Sequence, residues 1–290
     1  MSVARKLEVI TTETTVTAAA AEYAEDVSEL IDRPQFRESF LVQPDLFLRV
    51  RPGKEEIVIA KLDAASIPFH KLSEQCLSIP NQSNADKVLK LDAEAVVQDY
   101  NSQRTGDFFG LKKSDRNFKV WDCCAASGGK SIMAYDINPE IDLTVSDIRD
   151  TILINLEIRF DRAGIKKFYP FKVDLARAGN MPNGIYDTVI ADLPCSGSGT
   201  WSRTPEQSCF FSRSKIRHYS DLQRSILKNV VKTLKPGGRL VYITCSVFRE
   251  ENEQVVEFVK ESLQLELIDM QYLKGYEMKA DTLFVAVFRS

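Results

Sequence analysis

From about residue 116 onward, short apolar runs alternate with amphipathic stretches, and most apolar runs stop at a polar or reactive residue. That alternation marks a parallel sheet with helices on both faces. Phe118–Trp121 predicts the first strand, followed by a glycine turn and a helix through Ser131–Ala134. Leu143–Ser146 predicts the second, ending at Asp147, with a helix over Ile152–Ala163. Phe168–Val173 predicts the third, ending at Asp174. Asp187–Ala191 and Arg239–Ile243 predict the fourth and fifth, which run into Asp192-Leu193-Pro194-Cys195 and Thr244-Cys245. A helix over Leu222–Leu234 separates them, and Lys235-Pro236-Gly237-Gly238 is expected to end it and turn the chain into strand five. A helix through Glu251–Leu263 and strands near 265–269 and 283–288 complete a doubly wound, mostly parallel Rossmann-like α/β sheet.

Earlier in the chain the pattern changes. Residues 11–32 are Thr- and Ala-rich, then acidic, and predict a helix ending near Asp32-Arg33-Pro34. Residues 46–80 predict a small α/β unit: a strand over Leu46–Arg51, a break at Pro52-Gly53, a helix over Lys54–Ala65 and a strand over Cys76–Ile79. No internal repeat or long low-complexity tract is present.

Composition removes several classes. The 290 residues are 44% hydrophobic, ample for a core. No stretch approaches the roughly 18 consecutive apolar residues of a membrane span, and Met1–Lys6 lacks the apolar start of a secretory signal. Six cysteines without a Cys-x-x-Cys pair, and only His70 and His218, give no zinc-ligand spacing. A reduced, cytoplasmic, monomeric protein without a metal or a membrane is expected. Net charge is −3, but residues 203–239 hold nine basic residues against Glu206 and Asp221, a local +7 able to attract a polyanion.

Asp122–Ser131 follows a strand and opens a helix, where glycines let a ligand approach the backbone and free N–H groups face it. A phosphate-binding P-loop would need glycine at 124, where Cys124 stands, and the dinucleotide fingerprint is missing. An adenosyl cofactor without pyrophosphate fits better. Asp147 lies about 20 residues beyond Gly128, the offset at which a carboxylate accepts from ribose hydroxyls. Asp174 is placed to receive the exocyclic amine of adenine. The alternative for each is a helix cap or loop residue.

Asp122–Lys130, Asp192–Thr200, Lys235–Ser246 and Glu251-Asn252-Glu253 together resemble the motifs of the RsmB/Sun-type RNA cytosine-5 methyltransferases, and Gln98–Gln103 is similar to the entry into their catalytic domain. The resemblance implies a methyltransferase domain over 96–290. It leaves 1–95 as an N-terminal helical segment plus a small α/β, RNA-recognition-like unit. It further implies S-adenosylmethionine bound by Cys124, Ala125, Ala126, Ser127, Gly128, Gly129, Lys130, Asp147, Asp174 and Asp192, and an RNA partner, ribosomal or transfer. Cys245 is the implied nucleophile, Cys195 assists release, and Asp192 holds the edge of the base. Lys130 is left open between cofactor and base.

The chemistry explains why two thiols are wanted. Carbon 5 of cytosine is a poor nucleophile until a thiolate adds to carbon 6, and the adduct must later be eliminated. Three residues depart from the family pattern. Ser127 replaces a proline and is expected to loosen the glycine turn, Ile152 replaces an arginine that Arg149 could compensate, and the N-terminal region is divergent. Cys76, Cys123 and Cys209 are expected to be packing residues. A catalytically inactive RNA-binding protein of the same fold and a P-loop-like ATPase remain as alternatives.

Overall fold

The computed structural model describes residues 23, 25–177, 181–182 and 184–290; residues 11–22 of the predicted N-terminal helix lie outside them. Helix α1 (Arg33–Glu38) begins where the sequence pattern predicted a helix to stop. The Asp32 carboxylate accepts from the Gln35 N–H, and Pro34 occupies the first turn, where its missing N–H costs nothing. Asp-x-Pro is therefore a start signal here.

Strands β1 (Leu46–Val50), β2 (His70–Lys71), β3 (Cys76–Ile79) and β4 (Ala95–Val97) form an antiparallel sheet in the order β2-β3-β1-β4. Alternation along β1 divides its side chains between two faces. Leu48 and Val50 join Val58 and Leu62 of helix α2 (Glu55–Ala64) in a core of their own. On the other face Phe47 packs with Cys76, Tyr100 and Ala280, and Arg49 meets Asp136 at 2.5 Å. Arg51 also reaches Asp136, at 2.6 Å. This buried pairing fixes the small sheet to the larger unit, since separating it would strand charge away from water.

The larger sheet contains β5 (Lys119–Asp122), β6 (Asp142–Asp147), β7 (Tyr169–Lys172), β8 (Tyr186–Asp192), β9 (Leu234–Thr244), β10 (Glu266–Leu273) and β11 (Leu283–Arg289). Their order is β10-β11-β9-β8-β5-β6-β7, with the five from β9 to β7 parallel and the last two strands antiparallel. Two short helices, α3 (Ala85–Val88) and α4 (Tyr100–Arg104), precede β5, and α5 (Gly129–Ile137) is the first crossover, leaving β5 for β6. Helices α6 (Asp150–Ala163), α7 (Ser214–Val230) and α8 (Glu253–Ser262) follow. Strand order reverses between β5 and β8, the place where doubly wound sheets open a crevice for a ligand.

Two boundaries differ from the sequence pattern. Helix α7 starts at Ser214, eight residues before the predicted Leu222, because Ser220 and Gln223 occupy its buried face alongside Ile216 and Ile226. Polar residues there erase the apolar period that would announce its first turns. Lys235–Gly238 lies inside β9: Tyr186 pairs with Leu234 but Thr188 with Arg239, so the extra residues bulge out, with Gly237 at φ +75°. Tyr23, Val27, Ile31, Phe36 and Phe40 join the core of the larger unit with Trp201 and Phe248. Val27 bridges to Phe248, just beyond the second cysteine motif.

Candidate active site

Apolar strands β5, β6, β8 and β9 carry their polar ends to one rim. At the end of β5, the Trp121 indole donates to Ser146 Oγ at 3.0 Å and the Ala125 N–H to the Ser146 carbonyl at 2.9 Å. The turn is thereby stitched to the end of β6. Gly128 sits at φ +83°, and a Cβ there would meet Phe160 at 2.8 Å and Leu156 at 3.1 Å. Only glycine lets α5 start this close to α6. Ser127, expected to loosen the turn, is held: Arg159 donates to its carbonyl at 2.7 Å and its hydroxyl at 2.9 Å while pairing with Asp92 at 2.6 Å.

The rim encloses a cavity of about 430 Å³. Cys124, Ala126, Asp147, Asp174, Asp192, Cys195 and Cys245 all line it. Ala125, Ser127, Gly128, Gly129 and Lys130 do not form its wall, and Lys130 reaches it through Asp192. Buried Asp147 accepts from the Arg149 N–H and from its guanidinium at 3.0 Å, so Arg149 stands at the mouth. Asp174 accepts from the Ala176 N–H at 3.1 Å and pairs with Arg177, a loop role compatible with facing the cavity. Ile148, Val173, Leu193, Leu222 and Ile226 supply an apolar wall that the sequence reasoning missed. Leu222 and Ile226 sit one turn apart on α7, and that i, i+4 spacing was the available signal. Among the described residues, no group of three or more His, Cys, Asp or Glu could hold a metal ion.

Parallel pairing of β8 with β9 sets Asp192 opposite Ile243 and brings the two cysteine loops side by side. The Leu193 N–H donates to the Ile243 carbonyl at 3.0 Å, and the Gly199 N–H to the Cys245 carbonyl at 2.9 Å. Cys195 Sγ and Cys245 Sγ lie 3.3 Å apart. The hydrogen bond to Cys245, then burial, then charge at Cys245 and lastly the nearby Glu251 carboxylate hold the Cys195 thiol well above the ordinary range, so it keeps its proton.

Lys130 pairs with Asp192 at 2.6 Å, its side chain almost wholly buried. Burial works against its charge, but Asp192, with Asp122 and Cys245 behind it, more than offsets that and raises its pKa. Asp122 is buried beneath the pair and accepts from Ser131 Oγ at 2.6 Å. Burial, reinforced by Asp192 and Asp147, pushes its carboxyl up to about 7. The site therefore combines a fixed ammonium, a carboxylate at the cavity wall and two apposed thiols. Strand-end carboxylates with an apolar wall fit a nucleoside bearing a cationic sulfur, and no phosphate cradle is needed.

The family model described as 16S rRNA methyltransferase RsmB/F matches residues 109–286, more than half of the chain. Ribosomal RNA small subunit methyltransferase B of Shewanella oneidensis is 32% identical over 181 residues, 62% of this chain and 41% of that protein. The probable ribosomal RNA small subunit methyltransferase B of Bacillus subtilis is 28% identical over 228 residues, 76% of this chain and 50% of that protein. The chain thus spans half or less of the length of these two relatives. The crystal structure of NSun6 from Pyrococcus horikoshii with SFG superposes with a TM-score of 0.77 at 16% identity, over 92% of this chain and 96% of that one, which shows the shared fold. The cysteine motifs, the Rossmann-like sheet and the family match converge, and they set aside the P-loop alternative: the chain belongs to the RsmB/F family of S-adenosylmethionine-dependent methyltransferases.

Proposed function

We propose that the chain methylates carbon 5 of a cytosine in structured RNA, ribosomal or transfer, through a covalent bond between Cys245 and carbon 6. The observation that carries this reading is the 3.3 Å apposition of Cys195 and Cys245 beside the Lys130–Asp192 pair. A single thiol suffices for addition; a second at contact distance is useful when addition and elimination use different groups. S-adenosylmethionine, held by Asp147, Asp174 and the 124–130 turn, supplies an electrophilic methyl group.

The residues then divide the work. The Cys245 thiolate adds to carbon 6, and the electron pair moves to carbon 5, which takes the methyl group. Asp192 faces the Watson–Crick edge of the base, and Lys130 steadies it and provides positive charge near Cys245. Cys195 assists the closing elimination, in which carbon 5 loses its proton to solvent water, the carbon 6–sulfur bond breaks and the thiolate returns to Cys245. The small sheet and the exposed Lys215 and Arg217 on α7 would hold the RNA, whose target base must be looped out or flipped to reach the cavity.

Incubation with RNA and methyl-labelled S-adenosylmethionine, followed by digestion to nucleosides and mass spectrometry, tests the reading. It predicts labelled 5-methylcytidine. Label on another atom or base would overturn it.

A further inference from the structure

We propose that Glu251 is a positioning residue that differentiates the two thiols: it anchors the Cys195 loop and sets its carboxylate on the Cys195 side of the pair, so that Cys245 is the more reactive member. The catalytic meaning of this inference rests on the function proposed above, but its geometry does not.

Glu251 ends a 3₁₀ turn (Arg249–Glu251) after β9 and is fully buried. Its Oε2 accepts at 2.7 Å from the Ser196 N–H, the peptide group immediately after Cys195. The next residue grips the other loop. Asn252 Oδ1 accepts from Thr244 Oγ1 at 2.6 Å, and its amide donates to the Ser246 carbonyl at 2.8 Å, on either side of Cys245. Consecutive residues thus hold the two cysteine loops. Gln223 of α7 adds a bond to the Pro194 carbonyl at 2.9 Å, and Ser196 Oγ reaches Ser246 Oγ at 3.1 Å.

The charges around the pair are unequal. Lys130 acts on Cys245 with a positive charge, while Glu251 acts on Cys195 with a negative one. With sulfur atoms 3.3 Å apart, two thiolates would repel strongly, and the Glu251 charge weighs on the Cys195 side. The other titratable groups around Glu251 are Tyr242 of β9, whose hydroxyl donates to the Glu251 carbonyl, and Arg224 of α7, which acts on Tyr242. Burial pushes the Glu251 carboxyl up to about 7, against the bond from the Ser196 N–H. Its charge, and with it the discrimination, therefore builds as pH rises through neutrality.

Iodoacetamide alkylation of the full chain without RNA or cofactor reads this directly, with Cys195 and Cys245 peptides quantified by mass spectrometry from pH 6 to 8.5. The wild-type ratio of Cys245 to Cys195 modification should rise with pH and reach about tenfold at pH 8.5, equivalent to one pKa unit. Glu251→Gln keeps an acceptor for the Ser196 N–H but removes the charge. Its ratio should fall to about threefold or less and lose its pH dependence, whereas Glu251→Asp should retain part of it. An unchanged ratio in Glu251→Gln overturns the proposal. Should Glu251→Gln not fold, a flat wild-type ratio across the same pH range overturns it equally. Wild-type protein that discriminates as predicted but never methylates cytosine would defeat the proposed function alone.

Discussion

Replacing Gly199 with alanine should unlock the two cysteine loops from each other. Gly199 lies in the 3₁₀ turn Ser198–Thr200, donates to the Cys245 carbonyl and accepts from the Thr282 N–H, both at 2.9 Å. A Cβ there would stand 2.0 Å from the Thr282 carbonyl oxygen and 3.0 Å from that of Cys245. Both neighbours are backbone, so no side chain can swing aside and the turn itself must move by more than about 1 Å to restore ordinary contact. Overpacking costs about 1–3 kcal/mol, and weakening the two hydrogen bonds adds about 1 kcal/mol each. A total near 4 kcal/mol lowers the melting temperature by about 8–16 °C, taking 2–4 °C per kcal/mol for a chain of this size. Gly197→Ala is the control: φ is +73°, yet the nearest neighbour of a Cβ is Thr200 Oγ1 at 3.8 Å. Only backbone strain of about 1 kcal/mol applies there. Thermal unfolding followed by circular dichroism separates the two. Equal shifts, or a Gly199→Ala shift below about 2 °C, would refute the reasoning.

Three further outcomes follow from the site. Asp122 and Glu251 both titrate near 7 in the folded chain, against carboxyls near 4 when unfolded, so the native state binds more protons between these values. Stability is then greatest at the acid end of that window and is lost as pH rises toward 7; the melting temperature should fall from pH 5.5 to 7.5, and a rise would contradict the burial argument. Lys130→Met leaves Asp192 without its partner, but Asp192 is one-third exposed, so the stability loss should stay near 1–2 kcal/mol rather than the 3–5 of a fully buried pair. Methyl transfer should drop by about 100-fold or more as base positioning and the nearby charge disappear; near-normal turnover would remove Lys130 from the mechanism. Lys215→Ala with Arg217→Ala should weaken binding to RNAs of any sequence and flatten the salt dependence, measured by fluorescence anisotropy at several salt concentrations; an unchanged slope would make that face an ordinary solvated one.

The strand ends were legible because each apolar run closes on Asp147, Asp192, Cys195 or Cys245, and chain order alone then places them on one rim. Partnerships across the rim were not. Lys130 and Asp192, or Glu251 and Ser196, meet only because β5, β8 and β9 are neighbours in the sheet, and nothing local to either residue encodes the contact. The +7 segment shows the same limit: Arg203 is committed to Asp99 and Asp281, Arg213 to Asp26 and Lys235 to Asp187. What remains for a polyanion is smaller than the count suggested. Asp32-Arg33-Pro34 was ambiguous in kind, since aspartate before proline serves to cap a helix that starts as readily as to follow one that ends. Helix α7 was cut short because Gln223 and Ser220 find buried partners in the Pro194 and Glu250 carbonyls, a use of polar side chains that periodicity cannot see.

The covalent mechanism is tested most directly by the two single cysteine variants on a denaturing gel. Cys245→Ala removes the group that adds to carbon 6, whereas Cys195→Ala spares addition and methyl transfer but impairs release. With labelled RNA and S-adenosylmethionine, Cys195→Ala should therefore give a retarded protein–RNA band and Cys245→Ala none. A band from Cys245→Ala alone would move the nucleophile to Cys195, and full turnover by both variants would contradict covalent catalysis altogether.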